Sequence, residues 1–176
     1  MAKKLNIGNL KILLVLLVFI VPMGVAWVMF EYPDYFKFRT TNYGKLMQPM
    51  VHDKNFLDAT HRGWQIVYAP EDCQTEEAGQ QMFFLHQLRL ALGKDADRVS
   101  LALLTERACP LTDTHDFRKL LMDTAQVRAA VEDHHIENKI FLVDPQGNVF
   151  MYYSDKGSAM RILKDLKRVL EVSQIG

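Results

Sequence analysis

From Ile12 to Phe30 the chain carries no charged residue, and that block dictates how everything after it is arranged. A helix over it is about 28 Å long at roughly 1.5 Å per residue, close to the ~30 Å hydrocarbon core of a bilayer. Lys3, Lys4 and Lys11 precede it, so the positive-inside rule keeps the N-terminus in the cytoplasm and exports the rest. Trp27 and Tyr32 suit the far interface. The rival is a cleaved signal peptide, for which Gly24-Val25-Ala26 offers small residues at suitable spacing. The apolar run nevertheless continues through Trp27-Val28-Met29-Phe30 and outlasts an ordinary signal-peptide core. The sequence therefore favours an uncleaved anchor over residues 12–30 behind a cytoplasmic segment, residues 1–11.

The remainder of the 176 residues holds one domain. A formal net charge of zero gives no reason to expect nucleic acid or electrostatic attachment to anionic lipid. Residues 31–61 read as linker and domain entry, with a turn signal at Asn42-Tyr43-Gly44 and a short strand over residues 56–59. Met47, Met50 and His52 have the chemistry of soft copper ligands. No second cluster accompanies them, and methionines filling surface gaps are the simpler reading.

The domain proper, residues 62–176, opens on Trp64, Ile66, Val67 and Tyr68, a buried strand closed by Pro70. Asp72 is a candidate N-cap for the helix that follows. That helix is apolar at Met82, Phe84, Leu85, Leu88 and Leu92, and Gly93 stops it. Cys73 thus sits where a strand hands over to a helix. Residues 98–105 (RVSLALLT) form a second buried strand, parallel to the first across the helical crossover. Cys109 follows, just before Pro110. Asp113 or Thr114 caps a short helix through Phe117, Leu120 and Leu121, with Asp116, Arg118 and Asp123 on its solvated face. Residues 123–138 fit strand or helix equally. Residues 139–144 and 149–153 make a hairpin around Pro145-Gln146-Gly147-Asn148. An amphipathic helix over residues 158–172 ends the chain. The order β-α-β-α-β-β-α is that of a thioredoxin-like α/β domain.

Ligands gather at the carboxyl ends of parallel strands. The Cys73 loop and the Cys109 loop both lie there. The hairpin strand should run antiparallel, which brings the loop with Asp133, His134 and His135 to the same edge. Two chemistries follow. As a redox pair, Cys73 and Cys109 must approach within disulfide reach, a Cα separation of about 7 Å or less; their sequence spacing excludes a CxxC motif. The start of a helix favours the Cys73 thiolate, whereas Glu71, Asp72, Glu76 and Glu77 disfavour it. As a metal site, Cys73, Glu77, His134 and His135 are the candidate ligands, with Cys109 nearby. His86 reads as packed in its helix.

The strand entering a cysteine-bearing loop, a late histidine and IFLVDPQGNVFMYY resemble the Sco/SenC copper chaperones of cytochrome c oxidase assembly. NYGKLMQP, GWQIVYAP, QLRLALGKDADRV and LKDLKRVLEVSQIG extend the likeness. They are similar to single-pass membrane proteins encoded beside cytochrome c oxidase assembly genes in Gram-negative bacteria. The resemblance implies an inner-membrane protein with a periplasmic domain, acting on cytochrome c oxidase subunits or assembly factors by docking or by handling copper or thiols. It implies no turnover enzyme. Where that group carries a second cysteine, four residues after the first, this chain has Glu77. In the Sco-like pattern two thiolates and a histidine hold copper, and here only Cys73 maps onto the thiolates. A tethered thiol-disulfide oxidoreductase and a structural binding domain with a lost site are the alternatives.

Overall fold

The computed structural model describes residues 7–32, 42–57, 63–107, 109, 116–154 and 159–173. The chain divides into two units, residues 1–41 and 42–176. The first contains helix α1 (Ile7–Glu31), uncharged from Ile12 to Phe30, with Pro22 inside it. Among the described residues it is the one helix long and apolar enough to cross a membrane, by length and composition. Phe19, Met23 and Phe30 stand exposed on it, as a lipid-facing helix requires. A proline inside such a helix is tolerated better than in a soluble one.

The second unit is a six-stranded sheet in the order β1-β6-β5-β2-β3-β4. The strands are β1 (Lys45–His52), β2 (Trp64–Ala69), β3 (Val99–Thr105), β4 (Phe117–Leu121), β5 (Lys139–Val143) and β6 (Asn148–Tyr153). The helices are α2 (Glu76–Leu90), α3 (Ala125–Ala130) and α4 (Ala159–Val172). Strands β2, β3 and β4 run parallel; β5 is antiparallel to β2, and β6 to β5. This is the expected thioredoxin-like α/β fold.

The period-two alternation of the central strands builds two cores. Ile66, Tyr68, Leu101, Leu103, Ile140 and Leu142 face Met82, Leu85 and Leu88 of α2 and Ile162, Leu166 and Leu170 of α4. Val67, Ala69, Ala102, Leu104, Phe141 and Val143 face the other way, against Phe56, Val127 and Val131. Each fully buried Leu, Ile or Phe in these layers contributes about 1.5–3 kcal/mol.

Three local readings are corrected. Residues 45–52, taken as linker, form edge strand β1, paired antiparallel with β6, so the compact unit starts at Asn42. Met47 is buried and Met50 exposed, while His52 Nδ1 lies 3.0 Å from Asn148 Oδ1; the three do not form a soft-ligand cluster. Phe117–Leu121, taken as a short helix, is strand β4: Arg118 turns inward to the Phe56 and Leu57 carbonyls and to Gln65 Oε1. Bonding to β3 outweighed the helical spacing. Residues 54–56 make a 3-10 turn capped by Asp53, and residues 58–62 lie outside the described residues. The open stretch 123–138 contains α3 and a loop.

Asp165 on α4 ties the entry segment down. Its Oδ2 accepts the Tyr43 N–H at 2.7 Å, the Gly44 N–H at 2.9 Å and the Tyr153 hydroxyl at 2.9 Å, and the residue is 2% exposed. A Cβ on Gly44 would stand 2.5 Å from Met151 Sδ, which explains glycine there. Burial, then the Asp165 charge and hydrogen bond, raise the Tyr153 pKa. Replacing Asp165 by alanine strands two buried donors, the Gly44 N–H and the Tyr153 hydroxyl, each costing about 1–2 kcal/mol, while the part-buried Tyr43 N–H can turn to water. Urea unfolding followed by Trp64 fluorescence should show Asp165→Ala destabilised by about 2–4 kcal/mol, and an unchanged midpoint would overturn this account.

Candidate functional site

The site begins where β2 ends. Pro70 stops the strand, and Asn138 holds the next residue: its Oδ1 accepts the Glu71 N–H at 3.3 Å and the Tyr68 hydroxyl at 3.2 Å. The Asn138 N–H in turn donates to the Ala69 carbonyl at 2.7 Å. Asn138 adopts φ 57°, a left-handed conformation that asparagine tolerates better than most residues. Asp72 is not the helix cap. Its Oδ1 accepts the Gln74 N–H at 2.9 Å, an Asx turn, and the cap is Thr75, which accepts the Ala78 N–H at 3.2 Å. Cys73 is therefore held in a tight turn just before α2, half-buried, with Glu76 and Glu77 in the first helical turn.

Cys73 is joined to Cys109 by a disulfide, with a Cα separation of 6.1 Å, inside the range such bonds require. Cys109 is 6% exposed. The bond links the loop after β2 to the loop after β3. Beside it opens a cleft of about 450 Å³ whose lining includes Cys73, Glu106, Thr124, Arg128 and Glu137. Arg128 donates to Glu137 Oε1 at 2.8 Å and to Glu106 Oε1 at 3.4 Å, and the Thr124 hydroxyl donates to Glu106 Oε1. Burial alone would raise the Glu137 pKa; its own backbone N–H, Arg128 and the Ile136 N–H outweigh that and hold it below the usual glutamate value. Burial, reinforced by the Glu77 charge, pushes Tyr68 up to about 12, so the hydroxyl that steadies Asn138 stays protonated at neutral pH.

The loop before β5 reaches the predicted edge, but its histidines are turned to other uses. His134 (φ 55°) is exposed, with Nδ1 3.4 Å from the Arg128 carbonyl. The His135 ring is 3.6 Å from Glu137. Neither histidine lines the cleft, and neither does Glu77. Among the described residues no three His, Cys, Asp or Glu side chains converge as a metal site would need. The set Cys73, Glu77, His134 and His135 therefore does not fit copper as arranged, and Cys73 has no free thiolate while paired. Lys139, 5% exposed, fixes this loop from beneath, donating to both Asp133 oxygens and to the His135 carbonyl at 2.7–3.0 Å. His86 is paired with Asp116 and half-buried, which accounts for both residues away from the cleft.

Sequence reasoning missed Glu106, Thr124, Arg128, Glu137 and Asn138. Four of these five lie in or beside segments without a readable period. An asparagine immediately before a strand was the one available signal.

Residues 64–173 match the family described as "Transmembrane-like, thioredoxin-like, C-terminal domain", and the chain belongs to that family. With the apolar α1, this fits a single-pass membrane protein. No curated protein matches the sequence. Among solved structures, yeast Sco1 with copper bound aligns at TM-score 0.50 and 14% identity, over 77% of this chain and 96% of its own. Arabidopsis thaliana ScoI with copper bound aligns at TM-score 0.46 and 9% identity, over 64% and 87%. The Xanthomonas campestris bacterioferritin comigratory protein aligns at TM-score 0.43 and 16% identity, over 62% and 80%. At these identities the likeness speaks to the fold.

The Asp133–Lys139 clamp makes a pH prediction. The Lys139 hydrogen bond is the largest reason that Asp133 sits below the ordinary carboxylate pKa. A depressed acid contributes stability that is complete above its unfolded pKa of about 4 and lost as pH falls through its lower folded value. Asp133→Asn should thus be less stable than the parent protein at pH 7, with the gap closing below about pH 4. Unfolding midpoints measured across that range check it; a gap independent of pH would refute it.

Proposed function

We propose that this protein is a membrane-tethered thiol-disulfide factor whose reactive element is the Cys73–Cys109 pair, serving cytochrome c oxidase assembly. One observation carries the thiol reading: a disulfide spans two loops at the carboxyl edge of the sheet, its more accessible sulfur lining a cleft. A client thiolate attacks Cys73 Sγ, the S–S bond breaks, and Cys109 leaves as a thiolate that takes a proton from solvent. A second client thiol, deprotonated, attacks the client sulfur of the mixed disulfide and releases Cys73. Two electrons pass from client dithiol to protein disulfide; run backwards, the dithiol pair reduces a client disulfide.

The assembly role is supported by the motif resemblance, and it puts the N-terminus in the cytoplasm, α1 in the inner membrane and the domain in the periplasm. The clients are then cysteine-bearing oxidase subunits or assembly factors. An oxidising compartment suits a persistent disulfide. Copper enters this reading through the client, because the ligand set in this chain is not assembled. Anaerobic Cu(I) titration of the oxidised full-length protein in detergent, against a chromogenic chelator, should show no competition.

The competing role is a structural staple. Closing a 36-residue loop stabilises a fold by about 4 kcal/mol on the chain-entropy argument. Trapping distinguishes the two. In cells, Cys109→Ser should accumulate reducible adducts through Cys73, while Cys73→Ser should accumulate few or none. Cells lacking the gene should lose oxidase activity, and Cys73→Ser should fail to restore it. No adducts, together with full restoration by the Cys73→Ser/Cys109→Ser variant, would leave a docking domain without thiol chemistry.

A further inference from the structure

We propose that Lys119 is a positioning residue for the thiol pair: its ammonium fixes the Cys109 loop and stands beside the sulfur that leaves when the disulfide opens. This rests on the thiol-exchange reading above and assigns unequal roles to the two cysteines.

Lys119 lies in the middle of β4, in register with Leu103 of β3. Its Nζ donates to the Cys109 carbonyl at 2.9 Å. A cysteine's sulfur stays within a few ångströms of its own carbonyl oxygen. The ammonium is therefore within a Debye length, about 8 Å at physiological salt, of Cys109 Sγ. The described charges around the two sulfurs differ. Glu71 and Asp72 flank Cys73 in its own turn, and Glu76 and Glu77 follow in α2. Near Cys109, among the described residues, stand the Lys119 cation on the Cys109 carbonyl and Arg107 earlier in the loop, with the Glu106 carboxylate bound to Thr124 and Arg128. Burial disfavours a thiolate at Cys109, and an adjacent cation offsets that cost. The better-stabilised thiolate is the better leaving group. The partly exposed Cys73 is thus the attacked sulfur and Cys109 the one released.

The same loop is gripped a second time. Glu106, three residues before Cys109, is held by the Thr124 hydroxyl and by Arg128. Neither tie involves the sulfur bond. Both ties, at Glu106 and at the Cys109 carbonyl, are independent of the disulfide and are kept when it opens. In the opening step the incoming thiolate bonds to Cys73 Sγ, and the S–S electron pair passes to Cys109 Sγ. That sulfur persists as a thiolate beside Lys119 until solvent protonates it.

The test uses full-length protein in detergent, oxidised, with dithiothreitol for opening rates and glutathione redox buffers for the equilibrium. Lys119→Met and Lys119→Gln should open about tenfold more slowly. Both should shift the equilibrium about tenfold toward the disulfide, about 30 mV for a two-electron couple. Lys119→Arg, which keeps the charge and can donate to the same carbonyl, should stay within about threefold of the parent, a margin set below the roughly tenfold effect. Urea midpoints measured in parallel separate a charge effect from lost folding. Parent-like behaviour of Lys119→Met, or Lys119→Arg as impaired as Lys119→Met, would overturn the assignment while leaving thiol exchange standing. A parent disulfide that does not exchange with either probe would overturn both.

Discussion

The arrangement depends on the pairing of β2, which has β3 on one side and β5 on the other. The parallel partner sends its exit loop, with Cys109, to the same edge as the exit of β2, with Cys73. The antiparallel partner brings its entry loop there instead. Strand direction alone thus gathers three loops, and the register Ala69↔Lys139 sets how closely the third approaches. Burial on both faces enforces that pairing. Ile66 and Val67, neighbours in sequence, lie in opposite cores, so a one-residue slip would exchange every packed side chain for one of the wrong shape.

On this frame the polar groups settle which loops are held and which sulfur is accessible. Asn138, Lys139 and the Glu106–Thr124–Arg128–Glu137 group each anchor a loop through bonds that do not involve sulfur. On the proposed thiol-exchange reading, opening the disulfide breaks none of these anchoring bonds. Tethering, on the same proposed reading, adds a further physical effect: a domain linked to a membrane span would meet membrane-bound clients at raised effective concentration.

The metal reading shows how far loop placement can mislead. His134 and His135 do belong to a loop at the correct edge, as strand direction required. A ligand set, however, needs side chains aimed at one point. Here Lys139 pulls Asp133 and the His135 carbonyl inward, and the imidazoles are left outward. The Phe117–Leu121 segment illustrates the same limit at the level of secondary structure. Its apolar residues suit a helix face, yet a vacant edge on β3 offered five parallel partners, and Arg118 found the Phe56 and Leu57 carbonyls beneath it.

Much was determined by sequence alone. An uncharged block of membrane length, strand-like runs at residues 64–69, 99–105 and 139–143, the Pro-x-Gly hairpin and two well-spaced cysteines are local properties. Local physics reads them directly: helix rise, side-chain alternation and turn conformation. The tertiary structure decided the rest. It paired Cys73 with Cys109, recruited residues 45–52 as an edge strand, moved the helix cap from Asp72 to Thr75 and left the histidines off the cleft that Cys73 lines. Each outcome depends on partners far apart in sequence, and no local periodicity encodes which buried donor meets which acceptor.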